Sequence, residues 1–254
     1  MTQFVAPPDM KPNEIAWKTQ PTNMSLQQEF SSWFAPKPPT NDDKNKTNNE
    51  KDEDDIPPVP KIGDQPPSVP KLSFQPQPNR KDGAPPRPTI IAFLRHCGCP
   101  FAEKTFLNLR ETARNHRSPQ DQQDGTIDFI AISHSSAAAT ETWLQSLPQA
   151  GSEPGNLRVI VDEELEIYRA WGLGVAGYAH VLSPRALGEV WRLGSEEGIW
   201  NRPTESGSRW QVSGFFAVGG SNGDGGMVVK WGRAAERADD VPDFEEAVRA
   251  LVGR

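Results

Sequence analysis

The stretch TIIAFLRHCGCPFAEKTFLNLRETARNH, residues 89–116, decides how this chain folds. TIIAFL at 89–94 is a short apolar run rich in β-branched residues and entered from a proline, a pattern that suits a buried strand. After the turn HCGC, Pro100 falls where a helix tolerates proline best, since an N–H at a first helical position has no intrahelical partner to lose. Phe101, Phe106, Leu107, Leu109 and Ala113 then recur at helical spacing. The stretch reads strand, tight turn, helix, with two cysteines at the junction.

Working outward toward the C-terminus, the same alternation repeats. TIDFIAIS at 126–133 predicts a second buried strand, and SSAAATETWLQSL at 135–147 a helix capped by Ser135 or Ser136. LRVIV at 157–161 predicts a third strand, and LEIYRAWGLG at 165–174 a short helix ended by glycine. Strands alternating with helices at this spacing imply right-handed crossovers and a sheet covered on both faces. RWQVSGFFAV at 209–218 and GMVVKWGRAA at 226–235 flank the glycine-rich GGSNGDGG, which predicts a hairpin. PDFEEAVRALV at 242–252 predicts a last helix, with proline at its start and Phe244, Val248 and Leu251 on one face. The expected fold class is α/β: a thioredoxin-like three-layer sandwich with a central mixed sheet over residues 87–254, carrying an insertion at about 179–208.

Toward the N-terminus the texture is different. Of 25 prolines in the 254 residues, 18 lie within residues 1–88, and NDDKNKTNNEKDEDD at 41–55 holds no apolar residue. A segment like this buries too little surface to offset the entropy of ordering it, so residues 1–86 are expected to form a long disordered, Pro-rich and charged tail. Trp17, Phe30, Trp33 and Phe34 make a docking arm the alternative, packing on the domain or on a partner. The similar pieces at 57–65 and 66–75 are too few for a repeat architecture.

Charge and composition exclude several classes. A net charge of −7 with no basic stripe argues against a nucleic-acid partner. No apolar run approaches the roughly 20 residues that span a bilayer, so no membrane is expected. The N-terminus lacks a basic region followed by an apolar run, and two cysteines one residue apart make no disulfide framework; a reducing compartment, cytoplasmic with the nucleus as alternative, is expected.

The chemistry concentrates at Arg95-His96-Cys97-Gly98-Cys99-Pro100. Free N–H groups and the positive end of the dipole at a helix start stabilise a thiolate, so a cysteine at this junction is expected to ionise more readily than a free one. Arg95 and His96 are candidates to add positive charge, and His96 to act as a base. The bland reading is that both cysteines are small buried hydrophobes. As zinc ligands, Cys97, Cys99 and His96 lack the second pair that a structural site needs, so neither metal nor cofactor is expected. His134 and His180 are candidates to approach Cys99 at the carboxyl edge of the sheet. Trp171, Trp191, Trp200, Trp210 and Trp231 read as packing residues, with a hydrophobic substrate pocket as the alternative.

On TIIAFLRHCGCPFAE at 89–103, YRAWGLG at 168–174, LSPRAL at 182–187 and QVSGFFAV at 211–218, the chain resembles the peroxiredoxin-like branch of the AhpC/TSA (alkyl hydroperoxide reductase/thiol-specific antioxidant) proteins, over roughly 88–252. The pattern after the first strand in that family is commonly Arg-His-Phe-Gly-Cys-Pro-Phe-Cys. By this resemblance the first family cysteine is Cys99, the second is replaced by Ala102, and Cys97 stands at the usual aromatic position. The chain also departs from the P-x-x-x-T-x-x-C pattern of true peroxiredoxins, having Ala92 and His96 at the matching positions, and Val212, Ser213 and Gly214 include no counterpart of the thioredoxin cis-proline. The resemblance implies an antioxidant oxidoreductase with Cys99 as reactive thiolate and Cys97, His96 and Arg95 around it; with no thiol at Ala102, an external thiol resolves Cys99, Cys97 substitutes as the resolver, or redox catalysis is lost, the first being the favoured reading. Its partners would be a peroxide or disulfide substrate and an external thiol reductant, glutathione or a thioredoxin-type protein. The alternatives are a noncatalytic thioredoxin-fold binding module, and an accessory protein that binds a small organic substrate.

Overall fold

The computed structural model describes residues 56–74, 87–117, 127–177, 184–202, 206–221 and 226–253, all within one compact unit, 47–254. Along the chain run β1 (Thr89–Phe93), α1 (Pro100–Asn115), β2 (Asp128–Ser133), α2 (Ala137–Ser146), β3 (Leu157–Val161) and α3 (Glu166–Ala170). α4 (Pro184–Glu197), β4 (Gly214–Gly220), β5 (Met227–Ala234) and α5 (Phe244–Val252) follow. The five strands form one sheet in the order β3-β2-β1-β4-β5. β1 pairs in parallel with β2, and β2 with β3, whereas β4 runs antiparallel to both β1 and β5. This mixed, helix-covered sheet is the thioredoxin-like arrangement that the order of elements predicts.

Alternation within the strands sorts the apolar residues onto two faces. Ile91 and Phe93 of β1 lie beside Ile130 and Ile132 of β2 and Phe216 and Val218 of β4, and this face packs against Ile167, Tyr168, Trp171 and Leu173 in and after α3. Phe93 meets Tyr168 edge-on at 5.1 Å between ring centroids, and Trp171 lies 4.7 Å from Phe216. α1 and α5 cover the opposite face, where Phe215 of β4 meets Phe244 of α5 edge-on. α3 is too short to hold itself. The buried Asp162 carboxylate accepts the N–H groups of Glu166, Ile167 and Tyr168 at 3.1, 2.8 and 3.1 Å, and so supplies the partners that the first turn lacks. At the other helix starts Ser136 caps α2, and Asp243, one residue beyond the expected Pro242, caps α5.

The expected tail boundary at residue 86 requires correction, because residues 56–74 are ordered on the domain. Leu72 is fully buried in the α3-side core, and Val59, Val69 and Phe74 pack around it. Phe74 meets Trp171 edge-on. The Gly63 N–H donates to Val229 O and the Val229 N–H to Asp64 O, each at 2.9 Å, so this strap supplies partners along the outer edge of β5. Its prolines cross Gly172 so closely that a Cβ there would lie 2.6 Å from Pro57 O, and Gly172 has φ +73°. The glycine that ends α3 therefore also admits the strap. The aromatics at 17, 30, 33 and 34, the turn residues 222–225 and His180 lie outside the described residues. Among the described residues no helix is long and apolar enough to cross a membrane.

Candidate functional site

Residues 95–99 form the turn between β1 and α1 at the carboxyl end of the central strand. The Cys99 N–H donates to His96 O at 3.0 Å, and the Gly98 N–H to His96 Nδ1 at 3.1 Å, so the histidine holds the turn from both its carbonyl and its ring. Cys99 is the N-cap residue of α1, with extended backbone, and its carbonyl accepts the N–H groups of Ala102 and Glu103. Its side chain makes no capping hydrogen bond. The Cys99 sulfur therefore stands at the positive end of a 16-residue helix.

Cys97 has other surroundings. Its sulfur lies 3.5 Å from Ser133 Oγ and 3.7 Å from Thr140 Oγ1, two hydroxyls that are themselves 2.9 Å apart. Its N–H donates to Ser135 Oγ at 3.2 Å. This thiol sits in a pocket of hydroxyls between β2 and α2, an environment that fixes a small polarisable group in place. Both cysteines are free and both are buried, with exposures of 4% for Cys97 and 6% for Cys99.

The segment leaving the insertion forms the wall of the site. The Arg202 N–H donates to Gly98 O at 2.9 Å, and its guanidinium makes a two-point contact with the buried Glu103 at 3.0 and 3.1 Å. One residue thus grips the chain on either side of Cys99. Further on, the Ser136 N–H donates to Ser206 Oγ and the Ser208 N–H to His134 Nε2, while Arg95 Nη2 donates to Arg209 O at 2.6 Å. Gly207 sits between these contacts with φ +84°, and a Cβ on it would fall 2.6 Å from Ser135 Oγ and 3.0 Å from His96 Cβ. Only glycine fits this approach.

The electrostatics correct the expected role of His96. Burial first, and then the charges of Arg95 and Arg209, hold its pKa well below the usual 6.5, so it is neutral near pH 7 and adds no positive charge. With Nδ1 accepting from Gly98, its ring is committed to shaping the turn. His134 is buried as well, and its pKa falls to about 4, chiefly through loss of solvent. Nε2 of His134 accepts the Ser208 N–H, and Nδ1 faces Tyr168 Oη at 3.4 Å; the Tyr168 hydroxyl lies 2.6 Å from Leu94 O. Burial raises the Tyr168 pKa well above 10, so the phenol stays protonated and donates. Arg95 acts electrostatically on His96, His134 and Arg209, and Arg209 is a residue that the sequence reading did not single out. Burial and Arg95 lower the Arg209 pKa, while Cys99 pulls it up, which places Arg209 within electrostatic reach of that sulfur.

Among the described residues no three His, Cys, Asp or Glu side chains converge in a way that could hold a metal ion. Trp171 is fully buried in the α3-side core, Trp191 is largely exposed, and Trp200 lies over Gly194 of α4. A cavity of about 430 Å³ lies elsewhere, between the end of α1 and the start of α5, lined by Asn108, Thr112 and Phe244 among others.

No family model matches the chain, and no curated protein does. Among solved structures, the crystal structure of a "putative thioredoxin reductase" from Burkholderia cenocepacia is similar over 70% of this chain and 88% of that one, at 17% identity and a TM-score of 0.37.

Proposed function

We propose that the chain is a thiol-dependent oxidoreductase of peroxiredoxin-like type in which Cys99 is the reacting thiol. One observation carries the reading: of the two cysteines, Cys99 caps the positive end of α1 with its sulfur outside any capping bond, whereas Cys97 is held among hydroxyls. The sulfur stands at the helix terminus, and Arg209 lies within electrostatic reach of it. The thiolate attacks the distal oxygen of a peroxide, an S–O bond forms as the O–O bond breaks, and the leaving alkoxide or hydroxide takes up a proton. Sulfur is oxidised by two electrons and the peroxide is reduced by two. An external thiol then attacks the sulfenic sulfur, water leaves, and a mixed disulfide forms; a second external thiol releases Cys99 and departs as the disulfide of the reductant. The reductant is external because Ala102, buried in the first turn of α1, occupies the place of a second C-x-x-C thiol. Glutathione or a thioredoxin-type protein of the cytosol fills that role, and the reaction needs no cofactor.

The test is the intact mass of reduced protein after brief exposure to low peroxide, with and without a sulfenic-acid trap, for wild type, Cys97→Ser and Cys99→Ser. The expected result is trapping in wild type and Cys97→Ser and none in Cys99→Ser. If all three stay unmodified, redox chemistry with peroxide is refuted. The loss of the second thiol at Ala102 then favours a noncatalytic binding module.

A further inference from the structure

Arg95 is 5% exposed, yet only one of its three nitrogens has a partner among the described residues. Nη2 donates to Arg209 O, while Nε and Nη1 are buried with no acceptor. Among the described residues, the titratable groups on which its charge acts are Arg209, His96 and His134. Asn201 Nδ2 is a second buried donor without an acceptor, one residue before the Arg202 N–H that bonds Gly98 O beside Cys99. A buried guanidinium with unmade hydrogen bonds is costly, and native interiors rarely leave one so. Among the described residues, the turn before Cys99 and the segment that bonds it thus carry buried donors that have no acceptor.

We propose that Arg95, with Arg209 and the N-terminus of α1, forms an anion receptor beside Cys99 that takes the carboxylate of the molecule with which Cys99 reacts. A planar guanidinium offering two adjacent N–H groups matches a carboxylate edge-on, in the two-point geometry that Arg202 and Glu103 already use nearby. The substrate class is thereby narrowed to carboxylate-bearing peroxides, thiols or disulfides. The identity of the reaction rests on the redox reading given above, but the receptor can be tested without it.

The experiment compares alkylation of Cys99 by iodoacetate and by iodoacetamide, read by peptide mapping of the full chain so that Cys97 is scored separately. Both reagents form the same S–C bond as iodide leaves; only one carries a carboxylate. The reference is the ratio of the two rates for the same cysteine in the denatured chain. In the native protein the iodoacetate-to-iodoacetamide ratio is expected to rise about tenfold, the scale of one charge-assisted bond, and to fall back in Arg95→Gln and Arg209→Gln. Should the buried Arg95 variant not fold, the half-buried Arg209 carries the comparison. A native ratio equal to the denatured one, a ratio unchanged by the arginine variants, or no alkylation by either reagent overturns the proposal. A raised, arginine-dependent ratio in a protein that peroxide leaves unmodified keeps the receptor and removes the peroxide chemistry; peroxide reactivity without the ratio does the reverse.

Discussion

Leu72→Ala tests whether the strap belongs to the fold. In a solvated tail this change has no consequence. In the structure, Leu72 is fully buried in the same cluster as Phe93, Trp171 and Phe216, and the Val69 and Leu72 backbones bond each other at 3.0 and 2.9 Å to turn its side chain inward. Truncating a fully buried leucine removes its transfer free energy and leaves a cavity, together about 2–5 kcal/mol. The strap enters the core from one side and can relax more freely than a strand, which places the expectation near the lower end, about 2–3 kcal/mol. The assay is equilibrium urea unfolding followed by tryptophan fluorescence, to which Trp171 in the same cluster contributes. Ile62→Ala is the matched control: Ile62 lies in the same segment at 68% exposure, and its loss is expected to stay within about 0.5 kcal/mol. A Leu72→Ala midpoint indistinguishable from that of Ile62→Ala refutes the docking of the strap.

Two further outcomes follow from the buried charges. His134 has a folded pKa of about 4 against 6.5 for the free imidazole, so between those values the unfolded chain binds the proton more readily. Stability is therefore full above that window and is lost as pH falls through it. The loss due to His134 is about 2 kcal/mol by pH 5, and His96 is shifted in the same direction. Urea midpoints measured at pH 7 and pH 5 are expected to fall less in His134→Asn than in wild type; parallel curves would disprove the assignment. Glu103→Ala strands the Arg202 guanidinium and removes a carboxylate whose side chain is only 3% exposed. Breaking such a pair costs about 3–5 kcal/mol for a buried partner, discounted here because Arg202 is 27% exposed. The double variant Glu103→Leu with Arg202→Met is expected to recover part of that loss in urea unfolding. No recovery would mean that the Arg202 side chain contributes beyond the ion pair.

The parts of the fold that were legible in the sequence are those whose signal is local. TIIAFL followed by a proline-started amphipathic stretch specifies β1, the turn and α1, because strand burial and helix initiation both depend on neighbours within a few residues. The strap carries no such periodicity. Its buried Leu72 and half-buried Val59, Val69 and Phe74 are irregularly spaced among prolines, and its backbone bonds partly to the edge of β5. Composition therefore reads it as tail. At the site, the helix-capping position of Cys99 follows from Pro100, but the inward turn of Cys97 depends on hydroxyls brought by β2 and α2. The wall built by Arg202 and residues 206–209 joins positions about 70 to 115 apart in sequence, as in Ser135 with Ser206 and Arg95 with Arg209. The small, polar run Ser206-Gly207-Ser208 is a local sign of this close approach.

The strap also changes where this molecule can be cut. A boundary drawn at Arg87, where the strand-and-helix texture begins, removes Leu72 and Phe74 from over Trp171 and takes away the two backbone partners of Val229. The shortened protein keeps every strand and helix, yet it presents an open ladder on β5 beside freshly wetted aromatics, the combination from which sheets stack between molecules. Excision at residue 56 leaves both covered. A fragment that keeps the β5 edge and the Trp171 cluster covered thus begins some thirty residues before the first strand.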